Sequence, residues 1–189
     1  MDYQPDPKDE KETFYKHYSD GQMSRDMTIF VDDDGSAYLF YASEENATMH
    51  ISQLTDDYLS TTGQYKRVFI DSSMEAPAVF KRNGKYYLIA SGCTAWKPNP
   101  AHSAVADTIW GPWQELGNPC RGDQADKTFF SQSTYVLPVH GKKDAYIFIA
   151  DRWKEKDLPD SRYIWLPIEF DDQDRPILKW YDQWDISTF

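Results

Sequence analysis

One stretch of this chain, residues 74–90, constrains its fold more than any other. It places Asn83 and Gly84 between two segments of aliphatic and aromatic residues, at positions 79–80 and 86–89. An Asn-Gly pair favours a type I′ turn, because both central residues of that turn need a positive φ angle. The flanking segments suit half-buried strands. The stretch therefore predicts a β-hairpin, with the carboxyl group of Glu75 just ahead of its first strand.

The same pattern occurs three times along the chain. In each copy a polar residue stands nine positions before a turn glycine, and a second strand of aromatic and aliphatic residues follows the glycine. The three pairs are Asp26 and Gly35, Glu75 and Gly84, and Gln132 and Gly141. Hairpin-led units repeated at intervals of roughly 50 residues are typical of β-propeller blades.

A fourth, weaker copy begins at Arg162 and reaches a turn at residues 171–174. We therefore predict an all-β fold, an incomplete propeller with about four hairpin-led blades. The innermost strands of a propeller surround its axis. The residues at their entrances, Asp26, Glu75, Gln132 and Arg162, are then expected to meet at one pocket.

Length and composition narrow the kinds of protein that this chain resembles. Its 189 residues predict one domain, with residues 1–22 as a polar lead-in or the tail of a preceding blade and residues 23–189 as the propeller domain. The net charge of -11 argues against nucleic acid and anionic membranes as partners. No apolar run is long enough for a transmembrane helix, and no signal peptide is visible at the start of the chain.

The cysteines and histidines show no metal-binding pattern. Cys93 and Cys120 fit no zinc spacing, and we expect reduced, packed thiols. The four histidines are scattered without a paired motif. The acidic run at residues 32–34 lacks the alternate spacing of a calcium loop, so a turn is the better interpretation. No metal ligand is therefore predicted from the residues.

Several segments together resemble glycoside hydrolase family 43, whose fold is a five-bladed β-propeller. The resemblance covers nearly the whole chain from about residue 22. It is carried by residues 24–35, 75–77, 83–88 and 111–113 and by the Trp-rich terminal strand. Residues 91–96 and 131–134 are most similar to the branch that contains exo-β-1,3-galactanases. The resemblance implies a five-bladed propeller from which the first blade is missing.

Catalytic roles follow from this resemblance. Family members invert the anomeric centre, and the matching positions imply Glu75 as the general acid and Asp26 as the group that orients it and raises its pKa. The family's usual base is an Asp in the first blade, for which this chain has too few residues. In the galactanase-like branch a Gln is proposed instead, and Gln132 matches it. An amide acts as a base only in its iminol form, so the alternative is that Gln132 hydrogen-bonds a sugar hydroxyl.

Six further residues are candidates for binding sugar hydroxyls and faces, or for ordinary structural roles. They are Trp96, Thr94, Asn46, Arg152, Trp153 and Arg162. Three functions stay open: an exo-acting, inverting glycoside hydrolase of β-linked galactosyl or pentosyl units, an inactive truncated propeller that binds carbohydrate, and a structural propeller without a sugar site. The shared position of the three polar residues ahead of their hairpins argues against the last.

The partner implied by the resemblance is an oligosaccharide or polysaccharide. We expect no cofactor, although the family resemblance allows a calcium ion in the central channel. A propeller that lacks a blade has open sheet edges, which favour self-association. We expect the full-length form to be secreted or periplasmic.

Overall fold

A computed structural model of the chain describes residues 23–189, so the predicted lead-in at residues 1–22 lies outside the described residues. The fold of the described part is all-β, as predicted, with three short 3₁₀ segments as its helical elements. No helix in residues 23–189 has the length and apolar character that crossing a membrane requires.

The first sheet has four antiparallel strands in chain order. They are β1 (Met27–Val31), β2 (Ala37–Ser43), β3 (Thr48–Leu54) and β4 (Thr61–Val68). The predicted turn at residues 32–36 joins β1 to β2, and Gly35 has the positive φ angle of 86° that a turn glycine tolerates. Asp26 stands immediately before β1.

The second sheet repeats this order. Its strands are β5 (Met74–Arg82), β6 (Lys85–Gly92), β7 (His102–Ala106) and β8 (Gln114–Gly117). The predicted hairpin is confirmed, since Asn83 and Gly84 join β5 to β6 with φ angles of 50° and 76°. Both angles are positive, as a type I′ turn requires. Glu75, which we expected just ahead of this strand, is the second residue of β5, because pairing with β6 begins at Met74.

The third sheet has five strands and begins with Gln132. A short strand, β9 (Cys120–Arg121), precedes it in the chain. The remaining strands are β10 (Gln132–Pro138), β11 (Tyr146–Arg152), β12 (Arg162–Phe170) and β13 (Pro176–Lys179). Although β9 comes first in the chain, it pairs in parallel with β13 and is the outermost strand of this sheet.

The predicted fourth blade is wrong. Arg162 begins β12, which pairs along its length with β11 and forms the third strand of the third sheet. The described residues therefore form three sheets and no closed propeller. In sequence, β12, the β12–β13 turn and β13 resemble a leading hairpin. The reason is that apolar and polar side chains alternate in the same way in the first and in the third strand of a sheet. The alternation shows a half-buried strand but not its rank within the sheet.

The three sheets pack face to face around two apolar cores. One core lies between the first and second sheets and contains Phe40, Met49 and Leu88. The other lies between the second and third sheets and contains Phe80 and Phe148. Strand β5 contacts both β1 and β10, so the leading strands of the three sheets are neighbours in space. This packing brings the starts of the three strands to one pocket.

Candidate active site

Glu75 occupies an irregular start of strand β5. The pairing of β5 with β6 is interrupted between Glu75 and Ala78, and Ala76 has a φ angle of 53°. Such a bulge re-aims the neighbouring side chain. Pro77 is buried at the same place, consistent with its tolerance near the start of a strand. The result is a half-buried carboxyl group at the entrance of the leading strand.

Side chains from all three sheets hydrogen-bond Glu75. From the β2–β3 turn of the first sheet, Asn46 Nδ2 donates to Glu75 Oε2 at 3.1 Å. From the second sheet, the thiol of Cys93, directly after β6, donates to the same oxygen at 3.5 Å. From the third sheet, Gln132 Nε2 donates to Glu75 Oε1 at 3.1 Å. The packing of the sheets thus fixes both carboxyl oxygens.

The pKa of Glu75 is raised above its ordinary value. Burial is the largest cause, and the negative charge of Asp26 raises the pKa further. The hydrogen bonds from Cys93 and Gln132 favour the charged form and lower it, without cancelling the rise. A carboxyl group in this environment stays protonated at a higher pH than an exposed one, which a general acid needs.

Asp26 lines the same pocket as Glu75. Its side chain is exposed, and its main-chain carbonyl accepts a hydrogen bond from the amide of Ala42 at 3.0 Å. This bond extends the β1–β2 pairing by one residue and fixes the position of Asp26 ahead of the strand. From this position the negative charge of Asp26 raises the pKa of Glu75.

Gln132 has a defined amide orientation. Its Nε2 donates to Ser91 Oγ at 2.9 Å as well as to Glu75, and its Oε1 accepts from Trp153 Nε1 at 3.3 Å. The carbonyl oxygen thus faces an indole N–H and the amino group faces the carboxyl group. In this arrangement Gln132 is in direct contact with Glu75.

A strained turn anchors Asn46. Glu44, Glu45 and Asn46 have consecutive φ angles of 53°, 58° and 67°, a left-handed run that is costly for residues other than glycine. The buried carboxylate of Glu44 holds the turn, accepting from His50 Nε2 at 2.6 Å and from Arg67 at 2.7 Å. Burial alone would raise the pKa of Glu44, but these hydrogen bonds outweigh it and lower the pKa to about 2.

Two tryptophans form an aromatic part of the pocket wall. Trp96 and Trp153 pack edge to face with ring centroids 5.7 Å apart. Both line the cavity of about 470 Å³ that contains Glu75, and both rings are about half exposed. Exposed aromatic faces beside polar groups suit ligands with an apolar and a polar side, such as sugars.

Four of the six predicted binding residues lie outside the lining of this pocket, and of these Asn46 still contacts Glu75 directly. Thr94 stabilises its own loop, accepting from Asn99 Nδ2 at 2.7 Å and donating to the carbonyl of Lys97. Arg152 lines a neighbouring cavity. Arg162 is largely exposed and pairs with Asp160. The prediction that Arg162 meets the other strand entrances depended on the fourth blade and fails with it.

Several pocket residues were missed from sequence. Ser91 and Phe130 belong to the lining, and Cys93 was expected to be a packed thiol. Both cysteines are free; Cys120 is buried, whereas Cys93 is exposed and touches Glu75. Although the residue is exposed, its sulfur is partly shielded from water, and this desolvation together with the nearby charge of Glu75 raises the pKa of the Cys93 thiol to about 11, so it remains a hydrogen-bond donor. The available signal was the closeness of Ser91 and Cys93 in sequence to Thr94 and Trp96, although Ser91 itself belongs to β6.

The described residues contain no group of three or more His, Cys, Asp or Glu side chains arranged to hold a metal ion. Residues 23–189 therefore contain no such set of ligands for a calcium ion in a central channel. Whether the protein binds calcium stays a prediction from the family resemblance.

The model of the family "Glycosyl hydrolases family 43" matches residues 8–157. This chain belongs to glycoside hydrolase family 43. A family 43 β-1,3-galactosidase solved with galactodeoxynojirimycin is 56% identical, with a TM-score of 0.86 over 88% of this chain and 48% of that one. An exo-β-1,3-galactanase variant of Phanerochaete chrysosporium solved with β-1,3-galactotriose is 36% identical, with a TM-score of 0.76 over 84% and 36%.

A β-D-galactofuranosidase of Aspergillus niger is 28% identical over 145 residues, which are 75% of this chain and 41% of that protein. The family 43 chain therefore spans less than half of the length of each of these relatives.

Proposed function

We propose that this chain carries the acid side of the active site of an inverting, exo-acting glycoside hydrolase. Its proposed substrates are β-linked galactosyl or pentosyl units of polysaccharides. The observation that carries the proposal is the half-buried carboxyl group of Glu75, which donors from three sheets hold in place and whose pKa is raised. The family membership and the galactose-related names of the relatives support the class of substrate.

In the proposed mechanism Glu75 gives its proton to the glycosidic oxygen as the bond to the anomeric carbon breaks. The electron pair of that bond goes to the leaving oxygen, while a water attacks the anomeric carbon from the opposite face and gives up one proton to a general base. One displacement inverts the configuration. Asp26 keeps Glu75 protonated closer to neutral pH, because a second negative charge nearby makes ionisation less favourable.

Substrate contacts come from the pocket wall. Trp96 and Trp153 would stack against the apolar faces of the sugar. Asn46 does not line the pocket, but it contacts Glu75, and its buried Oδ1 has no hydrogen-bond partner within the described residues. A buried acceptor without a donor is costly, so a ligand hydroxyl that reaches it would gain affinity.

The geometry favours an orienting role for Gln132. Acid and base of an inverting enzyme stand about 6.5–9.5 Å apart, which leaves room for the attacking water. Gln132 Nε2 lies 3.1 Å from Glu75 Oε1 and donates to it. We therefore propose that Gln132 positions Glu75, and its assignment as the base stays a prediction that the variants below test.

We also propose that the three sheets are consecutive blades of a five-bladed propeller. The adjacency of β1, β5 and β10 supports this assignment, because leading strands of propeller blades surround a common axis.

A carbohydrate-binding protein without hydrolytic activity is the second candidate. One observation favours it: besides Asp26 and Glu75, the carboxylate that lines the pocket within the described residues is Glu155, in the loop after β11. Glu155 lies on a loop, and Gln132 donates its hydrogen bond to the acid itself. Neither residue is therefore positioned as a base. A protein of this kind would bind the sugar through the same contacts but would not activate the attacking water.

The deciding experiment compares sugar release from β-1,3-galactan and a panel of aryl glycosides by this chain and by Glu75→Gln. We expect the substitution to lower kcat by about 10²- to 10⁴-fold with an unchanged circular dichroism spectrum. Glu115→Gln, at an exposed site on β8, is the matched control. Full activity of Glu75→Gln would refute the role of the acid. Galactose binding without hydrolysis by the unsubstituted chain would establish the second candidate.

A further inference from the structure

A second cavity lies beside the active-site pocket. Its volume is about 590 Å³, within the range of ligand sites. The ring of Phe130 belongs to the walls of both cavities. A saccharide with one unit beside Glu75 could therefore extend past Phe130 into the second cavity without leaving the protein surface.

The second cavity is basic, although the chain as a whole has a net charge of -11. Arg121, Arg152 and Lys179 line it together with one carboxylate, Asp123. Lys179 is paired with Glu169 at 2.6 Å. The two guanidinium groups form no ion pair with any carboxylate within residues 23–189, and Arg121 donates to the carbonyl oxygens of Asn118 and Cys120. The cavity thus holds two arginines without an acidic partner in the described part of the chain.

Arg152 is held in place by aromatic rings. Its guanidinium carbon lies 5.2 Å from the ring centroid of Trp180 and 5.8 Å from that of Phe130. Trp180 is itself fixed by a hydrogen bond from its indole N–H to Asp182 at 2.8 Å. A stacked guanidinium is pre-organised, and its planar donors match a carboxylate in a two-point hydrogen bond.

We propose that this cavity binds a hexuronic acid unit, with its carboxylate on Arg152 and Arg121 and its ring against Trp180. A charged carboxylate and a sugar face are the two chemical features that this set of side chains recognises. The uronic acid site itself does not depend on the proposed function. Only the idea that one saccharide spans both cavities rests on it. The polysaccharide substrate would then carry acidic side groups or acidic neighbouring units.

The first test is calorimetric titration of this chain with sodium glucuronate, with glucose as the uncharged counterpart and sodium acetate as the simple anion. We expect glucuronate to bind more tightly than either, and more weakly as the salt concentration rises. Arg152→Gln should weaken glucuronate binding about tenfold or more, the range of a lost hydrogen bond between charged groups. Arg121→Gln, at an exposed side chain, gives the same test should Arg152→Gln not fold.

Arg175→Gln is the matched control, because this arginine pairs with Asp171 in the β12–β13 turn and lines neither cavity. Equal affinity for glucuronate, glucose and acetate would overturn the proposal, as would unchanged glucuronate binding by both Arg152→Gln and Arg121→Gln. Glu75→Gln should leave glucuronate binding intact. Loss of hydrolysis with retained glucuronate binding therefore separates the failure of one proposal from that of the other.

Discussion

Asn46 Nδ2 lies 3.1 Å from Glu75 Oε2, so a turn of the first sheet holds the carboxyl group of the second. The turn is strained, with three consecutive left-handed residues ending at Asn46. The buried carboxylate of Glu44 keeps it in that shape through His50 and Arg67. The shape of this turn in the first sheet therefore affects the position and the acidity of the Glu75 carboxyl group.

Replacing Asn46 should alter both binding and acidity. Asn46→Ala removes a donor to the charged form of Glu75, so the pKa of that carboxyl group should rise and the alkaline limb of the pH–rate profile should move to higher pH. The loss of Oδ1 should also raise KM by about tenfold, the effect of one lost hydrogen bond. Measured kcat and KM between pH 4 and pH 9 check both effects. Gln64→Ala on β4 is the control, and identical profiles for Asn46→Ala and the unsubstituted chain would contradict the contact's role.

Replacing Asp26 should shift the profile in the opposite direction. Asp26→Asn removes a negative charge that raises the pKa of Glu75, so the pKa should fall and the alkaline limb should move to lower pH. Activity at neutral pH should then drop, because less of the acid is protonated. Asp107→Asn, at an exposed carboxylate near Lys85, should leave the profile unchanged. A shift of the limb to higher pH in Asp26→Asn would show that the charge of Asp26 does not act as described.

Variants of Gln132 separate an orienting role from a base. If Gln132 orients Glu75, Gln132→Ala should lower kcat by about 10- to 100-fold, the usual effect of losing a residue that orients a functional group. Added azide should not restore the rate. Gln132→Glu places a second carboxylate against Glu75, so the pKa of one of the pair should rise strongly. Azide rescue of Gln132→Ala with formation of a glycosyl azide of inverted configuration would instead identify Gln132 as the base.

Glu44 should stabilise the fold in a pH-dependent way. Its pKa in the folded state is about 2, below its value of 4.5 when unperturbed, so its contribution is present above pH 4.5 and is lost as the pH falls towards 2. Glu44→Gln removes one partner of a buried charged pair and should lower the free energy of unfolding by about 3 kcal/mol at pH 7. It should also flatten the acid dependence. Urea unfolding between pH 3 and pH 7 measures both.

Glu45 is the natural control for that experiment. It follows Glu44 directly and pairs with Arg25 at 2.8 Å on the surface, where both side chains are about half exposed. Such a pair contributes at most about 1 kcal/mol. Equal destabilisation by Glu44→Gln and Glu45→Gln would show that the buried network does not anchor the turn.

This chain, produced alone, should self-associate. The outer face of β1 exposes Met27, Ile29 and Val31, each about half accessible, and an exposed apolar sheet face favours pairing with a second copy. Replacing Met27 and Val31 together by Lys should shift light scattering towards the mass of a monomer, whereas Thr62→Lys on β4 should not. A strictly monomeric, folded species of the unsubstituted chain would contradict the prediction.

Sequence reasoning located the local structure well and the contacts between sheets poorly. The Asn83-Gly84 hairpin and the three leading strands follow from turn chemistry and alternation, which neighbouring residues determine. It did not foresee that Cys93 contacts Glu75, that Gln132 donates to it, or that Arg152 faces a different cavity. Those three facts depend on how separate sheets pack against each other.

The sequence by itself determined an all-β chain with Asp26, Glu75 and Gln132 at corresponding positions near the starts of three hairpins, because backbone propensity and side-chain alternation act over a few residues. Only the tertiary structure decided that Arg162 begins a third strand rather than a fourth blade, since pairing with β11 requires residues that are distant in the chain. It also decided the environment of Glu75. Burial and the charge of Asp26 change its pKa only after the sheets have packed.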